Sequence, residues 1–432
     1  MSNSGFSGLI KFVGTAALCG LLTSASHGQG LGSILQSSRD GVNAAAEAVQ
    51  KSKSDETVAT VAVRGNNAFA LDLYGKLAQK APATGNVFFS PYSISSNLGL
   101  AYSGSQGATT HQLARAMQLN VSPQALPASW AALRQSLDKR TKTDGGYQLT
   151  TANAVWGQQG LGFRPEFVEL VKNGFAAEVR ELNFKADPEK ARTAINTWVS
   201  EETRGKFPQL LSPGAVNAGT EVVLTNAVYC KAAWQRPFPK KATEEAPFFV
   251  KPEQTVKVPL MKLTGAFSHY KGKDFQLLEL PYLGGELSMI VLLPDRKNGL
   301  PQLEQSLTFA NLNDWLSRLK KQDVQVLLPR FKINYDTELR EVLSALGMGV
   351  AFSLEADFTG MTGKKNFHLS AVMHKAYVSV NEEGTEAAAA TASFVERSIE
   401  LPAAFRADHP FVFLLRDTRN GCILFMGRLV NP

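Results

Sequence analysis

An α+β fold with largely antiparallel sheets is predicted by three observations. Helical spacing gathers early in the chain, strand-like runs gather after about residue 221, and no repeat of fixed period is visible. The 432 residues are 44% hydrophobic and 19% charged, enough to bury a large core in one big domain or two ordinary ones, and unlike a disordered or fibrous chain.

At the N-terminus Lys11 precedes an apolar run from Phe12 to Leu22 that ends in Thr23, Ser24, Ala25 and Ser26. This pattern predicts a signal peptide over residues 1–26, too short to span a bilayer. Cys19 follows Leu18, which is bulky where a lipid-anchored cysteine usually has a small neighbour, so no lipid anchor is expected. No other segment approaches a membrane span. The mature chain is therefore expected to be exported and soluble: secreted, or periplasmic in a Gram-negative host. Residues 27–60, rich in Gly, Ser, Ala and Gln, suit a linker or loosely helical extension, with one further domain from 61 to 432.

Phe69, Leu71, Leu73, Tyr74 and Leu77 carry helical spacing over 61–80; a second helical pattern starts near Ser93, and an amphipathic one spans Leu126 to Lys139. Strands are expected at EVVLTNAVYCKAAW (221–234), FQLLELPY (275–282), LSMIVLLP (287–294) and VQVLLPRFKI (324–333). FVFLLR (411–416) and CILFMGRL (422–429) close the chain.

Several function classes drop out. The sequence has no Gly-x-Ser-x-Gly elbow, His-Glu-x-x-His, phosphate loop or Cys-x-x-Cys, and its six histidines include no pair at metal-ligand spacing, so neither enzyme, metal nor cofactor is expected. The formal net charge of +7 comes from scattered Lys and Arg, with no basic run interleaved with aromatics; this argues against nucleic acid. Without the leader, Cys230 and Cys422 remain, each among strand-like apolar neighbours, and they read as two buried unbridged thiols rather than a disulfide framework. His374, inside SAVMHKAYVSV (370–380), reads as a hydrogen-bonded core residue.

The oddest segment is NEEGTEAAAATASFVERSIELP, 381–402. Its alanines favour helix, yet it lies between two strand patterns and has few bulky residues to anchor it, which predicts a long exposed loop. If residues 385–396 were extended, Thr385, Ala387, Ala389, Thr391 and Ser393 would share one face, with Glu386 and Glu396 on the other. Such a strand could slide into a tight sheet; a flexible Ala-rich linker is the other reading.

VNEEGTEAAAATA (380–392) resembles the hinge of an inhibitory serpin, and NVFFSPYSIS (86–95), TNAVYCKAAW (225–234), LSAVMHKA (369–376), ADHPFVFLLRD (407–417) and LFMGRLVNP (424–432) resemble further signatures of that family in the same order. The resemblance runs from about Val61 to Pro432. It implies the serpin fold, with three β-sheets, eight or nine helices and an exposed reactive-centre loop at about 382–404.

It also implies roles. Ser90, Ser93, Asn226 and His374 match a hydrogen-bonded cluster where the central strands part. Trp234, Arg330 and Glu382 match the top of the sheet, with Arg330 and Glu382 as a restraining ion pair. Glu382, Glu383, Gly384, Thr385, Ala387, Ala388, Ala389 and Ala390 match the hinge, and Thr385 is expected to be exposed until the loop inserts. Cys230 and Ala232 stand where the family usually has Phe and Gly, which puts the stability of the switch in question.

The resemblance implies a suicide-substrate inhibitor of a serine protease, held in a covalent acyl-enzyme complex by a monomer that needs no cofactor and binds no membrane. Counting from Glu382 puts the cleaved bond at Ser398–Ile399; counting back from FRADHPF (405–411) puts it at Arg397–Ser398, which suits a trypsin-like pocket. An elastase-like target and a non-inhibitory carrier of the same fold are the alternatives. Arg134, Lys139, Arg140 and Lys142 form no single helical stripe, so a polyanion cofactor is not expected. Asn120-Val121-Ser122 is a lone glycosylation pattern.

Overall fold

Helical spacing around Phe69 and Leu77 becomes helix α1 over 59–80 in a computed structural model that describes residues 59–141, 147–365, 367–385 and 402–432. The expected signal peptide and nearly all of the 27–60 extension lie outside the described residues. Helix α2 (Pro91–Ser103) starts with proline where no N–H is needed, and Ser90 Oγ caps it by accepting from Ser93 N–H at 3.1 Å. Then come α3 (Gly107–Ala116), α4 (Leu126–Thr141) and α5 (Pro165–Phe175). Helix α6 (Pro188–Glu202) is capped by Asp187, which accepts from Lys190 N–H at 2.9 Å. Helices α7 (Leu300–Ser306) and α8 (Phe309–Ser317) sit late in the chain, where only strands were anticipated.

The described strands are β1 (Val87–Phe89), β2 (Gln148–Gln158), β3 (Glu178–Leu182), β4 (Val222–Ala233), β5 (Glu244–Lys251), β6 (Gln254–Lys271) and β7 (Phe275–Pro281). They continue as β8 (Leu287–Pro294), β9 (Lys320–Pro329), β10 (Phe331–Glu338), β11 (Leu369–Asn381), β12 (Gly384–Thr385), β13 (Ala403–Arg406), β14 (Phe411–Asp417) and β15 (Ile423–Leu429). A six-stranded sheet runs β10-β11-β12-β4-β2-β3. The other network runs β1-β15-β14-β8-β7-β6-β9-β13, with β5 on β6. Strand β6 is shared: its first half pairs with β5, its second half with β9, and its last four residues, Ser268 to Lys271, with β7. The three sheets of the expected fold are thus the six-stranded sheet and the two parts of the network joined at β6.

The run 324–333, expected as one strand, is two. Pro329 has no N–H to continue the β9 ladder, the Arg330 N–H turns to Pro259 O at 2.9 Å, and Phe331 opens β10 in the other sheet opposite Val380. Strand β4 serves two cores, because side chains alternate faces. Leu224, Val228, Cys230 and Ala232 join the large core; Val223, Ala227 and Tyr229 face a smaller one with Ile195 and Trp198 of α6. Cys230 and Cys422 are both buried as thiols in the large core.

Candidate functional site

The middle of the six-stranded sheet carries a row of polar residues in register across three strands. Asn153 on β2 stands opposite Asn226 on β4, and Asn226 opposite His374 on β11. All three are buried. Ser90 N–H donates to His374 Nε2 at 3.2 Å, so that nitrogen is the acceptor and Nδ1 carries the proton it gives to Asn226 Oδ1. Asn226 Nδ2 donates to Ser93 Oγ and to Asn153 Oδ1, and Ser90 Oγ donates to Leu424 O at 2.6 Å. Ser90, Ser93, Asn226 and His374 therefore meet in one cluster. Asn153 belongs to it too, a residue sequence reasoning passed over; its only signal was a polar side chain inside the run Ala152 to Trp156.

Burial lowers the His374 imidazole from its ordinary 6.5 to about 3. The unfolded side chain takes up a proton near 6.5 and the folded one only near 3, so its contribution is complete above about pH 6.5 and is lost as pH falls. Each pH unit in that window should cost about 1.4 kcal/mol. Urea unfolding of wild type and His374→Asn at pH 7, 6, 5 and 4 checks this: the wild-type curve should fall more steeply by about one proton, and parallel curves would refute the buried neutral imidazole.

The seam between β11 and β4 is the unusual part of the sheet. From Leu369 to Tyr377 β11 pairs with β4 in parallel. Above that level β12 stands between them, antiparallel to both, with Gly384 opposite Asn381 and Ala233 and Thr385 opposite Val380 and Ala232. The turn into it is fixed by Asn381 Oδ1, which accepts from the N–H groups of Glu383 (3.0 Å) and Gly384 (3.1 Å). Gly384 has φ 145°, and a Cβ there would lie 2.1 Å from Ala232 O, so only glycine fits.

Thr385, expected to be exposed before insertion, is buried, and its Oγ1 lies 2.7 Å from Tyr282 Oη. The small side chain of Ala232 opposite leaves the space, and the Asn381 turn delivers the residue into it. Residues Glu386, Ala387–Ala390, Glu396, Arg397, Ser398 and Ile399 lie outside the described residues.

Trp234 closes the top of the seam. Its N–H meets Glu383 O at 2.8 Å, Nε1 donates to Asn381 O at 2.9 Å, and its ring stacks on Tyr282 at 4.3 Å. Glu382 is 3% exposed in its side chain and receives Arg330 Nε at 2.7 Å and Thr243 Oγ1 at 2.6 Å. Burial alone would raise the Glu382 carboxyl, but the hydrogen bonds from Arg330 and Thr243 outweigh it and hold the group below the usual range. Lys240 Nζ reaches Glu383 Oε1 at 2.6 Å. Arg134 pairs with Asp138 at 3.4 Å, while the side chains of Lys139, Arg140 and Lys142 lie outside the described residues.

Among the described residues no helix is long and apolar enough to cross a membrane.

Comparison with known proteins gives the same answer by sequence and by structure. Residues 64–432 match the family model described as Serpin (serine protease inhibitor). Leukocyte elastase inhibitor of Bos taurus is 41% identical over 376 residues, 85% of this chain and 98% of that protein; its Homo sapiens counterpart is 39% identical over 377 residues, with the same coverage. Among solved structures, uncleaved ovalbumin superposes with a TM-score of 0.78 at 29% identity, covering 85% of this chain and 99% of its own. Serpin48 of the insect Tenebrio molitor gives 0.77 at 32% identity, covering 85% and 97%.

Proposed function

The chain belongs to the serpin family, described as serine protease inhibitors, and we propose from that premise that it is an exported suicide substrate. The observation that carries this reading is β12: Gly384 and Thr385 already occupy the top of the seam, and the run Ala387–Ala390 follows them in the chain. Growth of β12 downward would part β11 from β4, exchanging one parallel ladder for two antiparallel ones. It would also break the His374–Asn226 hydrogen bond, which crosses that seam and restrains it.

In this mechanism the protease's serine attacks the scissile carbonyl and forms an acyl-enzyme. Insertion from Gly384 to Arg397 moves the tethered enzyme by roughly 45 Å, at about 3.3 Å for each of some 14 residues. Deacylation needs its groups in register, and about 1 Å of misplacement costs on the order of 100-fold in rate. The intermediate then persists, as a covalent complex of one monomer with one protease.

Arg397–Ser398 is the proposed reactive bond and a trypsin-like enzyme the proposed target, because a guanidinium pairs with a carboxylate at the base of such a pocket. Arg397→Ala should lower the rate of complex formation with a trypsin-like protease by on the order of 100-fold, since that carboxylate loses its partner. Mass spectrometry of the released C-terminal peptide tests the bond: a first residue of Ser398 supports it, and Ile399 refutes it. The relatives named leukocyte elastase inhibitor favour a second reading, cleavage after Ser398 by an elastase-like enzyme.

A further inference from the structure

Where β6 turns into β7, a cavity of about 430 Å³ opens between that hairpin, the loop from β8 to α7, and helices α7 and α8. Its apolar lining is Phe275, Leu303 and Trp315. Turn chemistry builds the wall. Gly272 N–H donates to Phe275 O at 2.9 Å, and a Cβ at Gly272 would stand 2.4 Å from Phe275 Cε1, so only glycine lets that ring fold back over the turn. Asp295 N–H donates to Asp274 O at 2.9 Å and ties the loop after β8 to the same hairpin. Trp315 of α8 then packs on Phe275 with ring centroids 4.5 Å apart and planes tilted by 50°. Both rings stay half-buried, so part of this aromatic surface still meets water.

Three charged residues complete the lining: Lys273, Asp274 and Arg296. Among the described residues none of the three side chains has an ion pair or a hydrogen bond. The charges around them are already engaged. Lys271 pairs with Asp295, Arg318 with Asp314 at 2.9 Å, and Lys297 Nζ sits over the Phe249 ring, 3.2 Å from its centroid. The cavity thus joins an aromatic floor to two uncommitted cations and one carboxylate, an excess of a single positive charge.

An aromatic ring gains by stacking or edge contact on Trp315 and Phe275, and a carboxylate gains a charge-assisted partner in a guanidinium or ammonium. A single excess charge matches a monoanion, and the volume suits a small molecule. We infer that this cavity binds a small aromatic monocarboxylate, its ring against Trp315 and Phe275 and its carboxylate between Lys273 and Arg296.

The test is an NMR titration of the full chain, isotope-labelled on the indole nitrogens of its tryptophans, with the Trp315 signal identified by its loss in Trp315→Phe. Phenylacetate is the probe and phenylacetamide its neutral counterpart, at ionic strength held constant with sodium chloride. Phenylacetate should shift the Trp315 signal saturably with Kd below roughly 5 mM, and the amide should bind at least about fivefold more weakly. Arg296→Gln and Lys273→Gln should each weaken the acid about threefold or more and leave the amide unchanged, while Asp274→Asn should tighten the acid alone. These three residues are exposed, so the variants keep the fold. No saturable shift of Trp315, equal affinity for acid and amide, or unchanged affinity in both Arg296→Gln and Lys273→Gln would overturn the assignment. Phenyl phosphate binding more than about tenfold tighter than phenylacetate would overturn it in favour of a phosphate ester.

Discussion

Thr385→Arg should turn this inhibitor into an ordinary substrate. Thr385 is 1% exposed, between β11 and β4 and against Tyr282, so a guanidinium there would be buried with no carboxylate to meet it. That costs several kcal/mol in the strand that begins insertion, and the residue should leave its slot rather than lead the loop in. Recognition and cleavage at the far end of the loop remain. On a denaturing gel, the ratio of covalent complex to cleaved protein should fall by more than about tenfold relative to wild type, since several kcal/mol are placed on one of two competing steps. Thr385→Val, which keeps the shape, should retain most of the complex. An undiminished yield from Thr385→Arg would refute insertion through this seam.

Cleavage of the loop should raise the melting temperature, the opposite of what a nick normally does. Insertion replaces the parallel contact of β11 with β4 by two antiparallel ladders, a net gain of one full strand's hydrogen bonds. At about 1 kcal/mol for each of a dozen such bonds, the rise should be on the order of 20 °C. Calorimetry before and after limited proteolysis reads it directly. Equal melting temperatures would mean that the freed loop stays outside the sheet, and would favour the non-inhibitory alternative.

Much of this was legible in the sequence because it depends on local pattern. The alternation that makes β4 and β8, and the 3.6-residue spacing of α1, need only neighbouring residues. What was not legible depends on which strands lie side by side. Asn153 is polar in an apolar run, but its place in the cluster follows from its register with Asn226, 73 positions away. The break at Arg330 is a switch between sheets, and the strand-like pattern that continues on both sides of Pro329 and Arg330 conceals it. Two residues, Gly384 and Thr385, are too few to show a period, so their burial could be read only from the gap they fill.

The polar row across β2, β4 and β11 also constrains assembly of the sheet. Side chains alternate sides, so a slip of one residue between β4 and its neighbours would turn Asn226 away from His374 and under α6, against Trp198 and Ile195. A primary amide would then lie in an apolar layer without partners, and Val223 and Ala227 would change sides with it. Three hydrogen-bonding residues at one level thus admit a single alignment of three strands, which the interchangeable valines and alanines around them do not enforce by themselves.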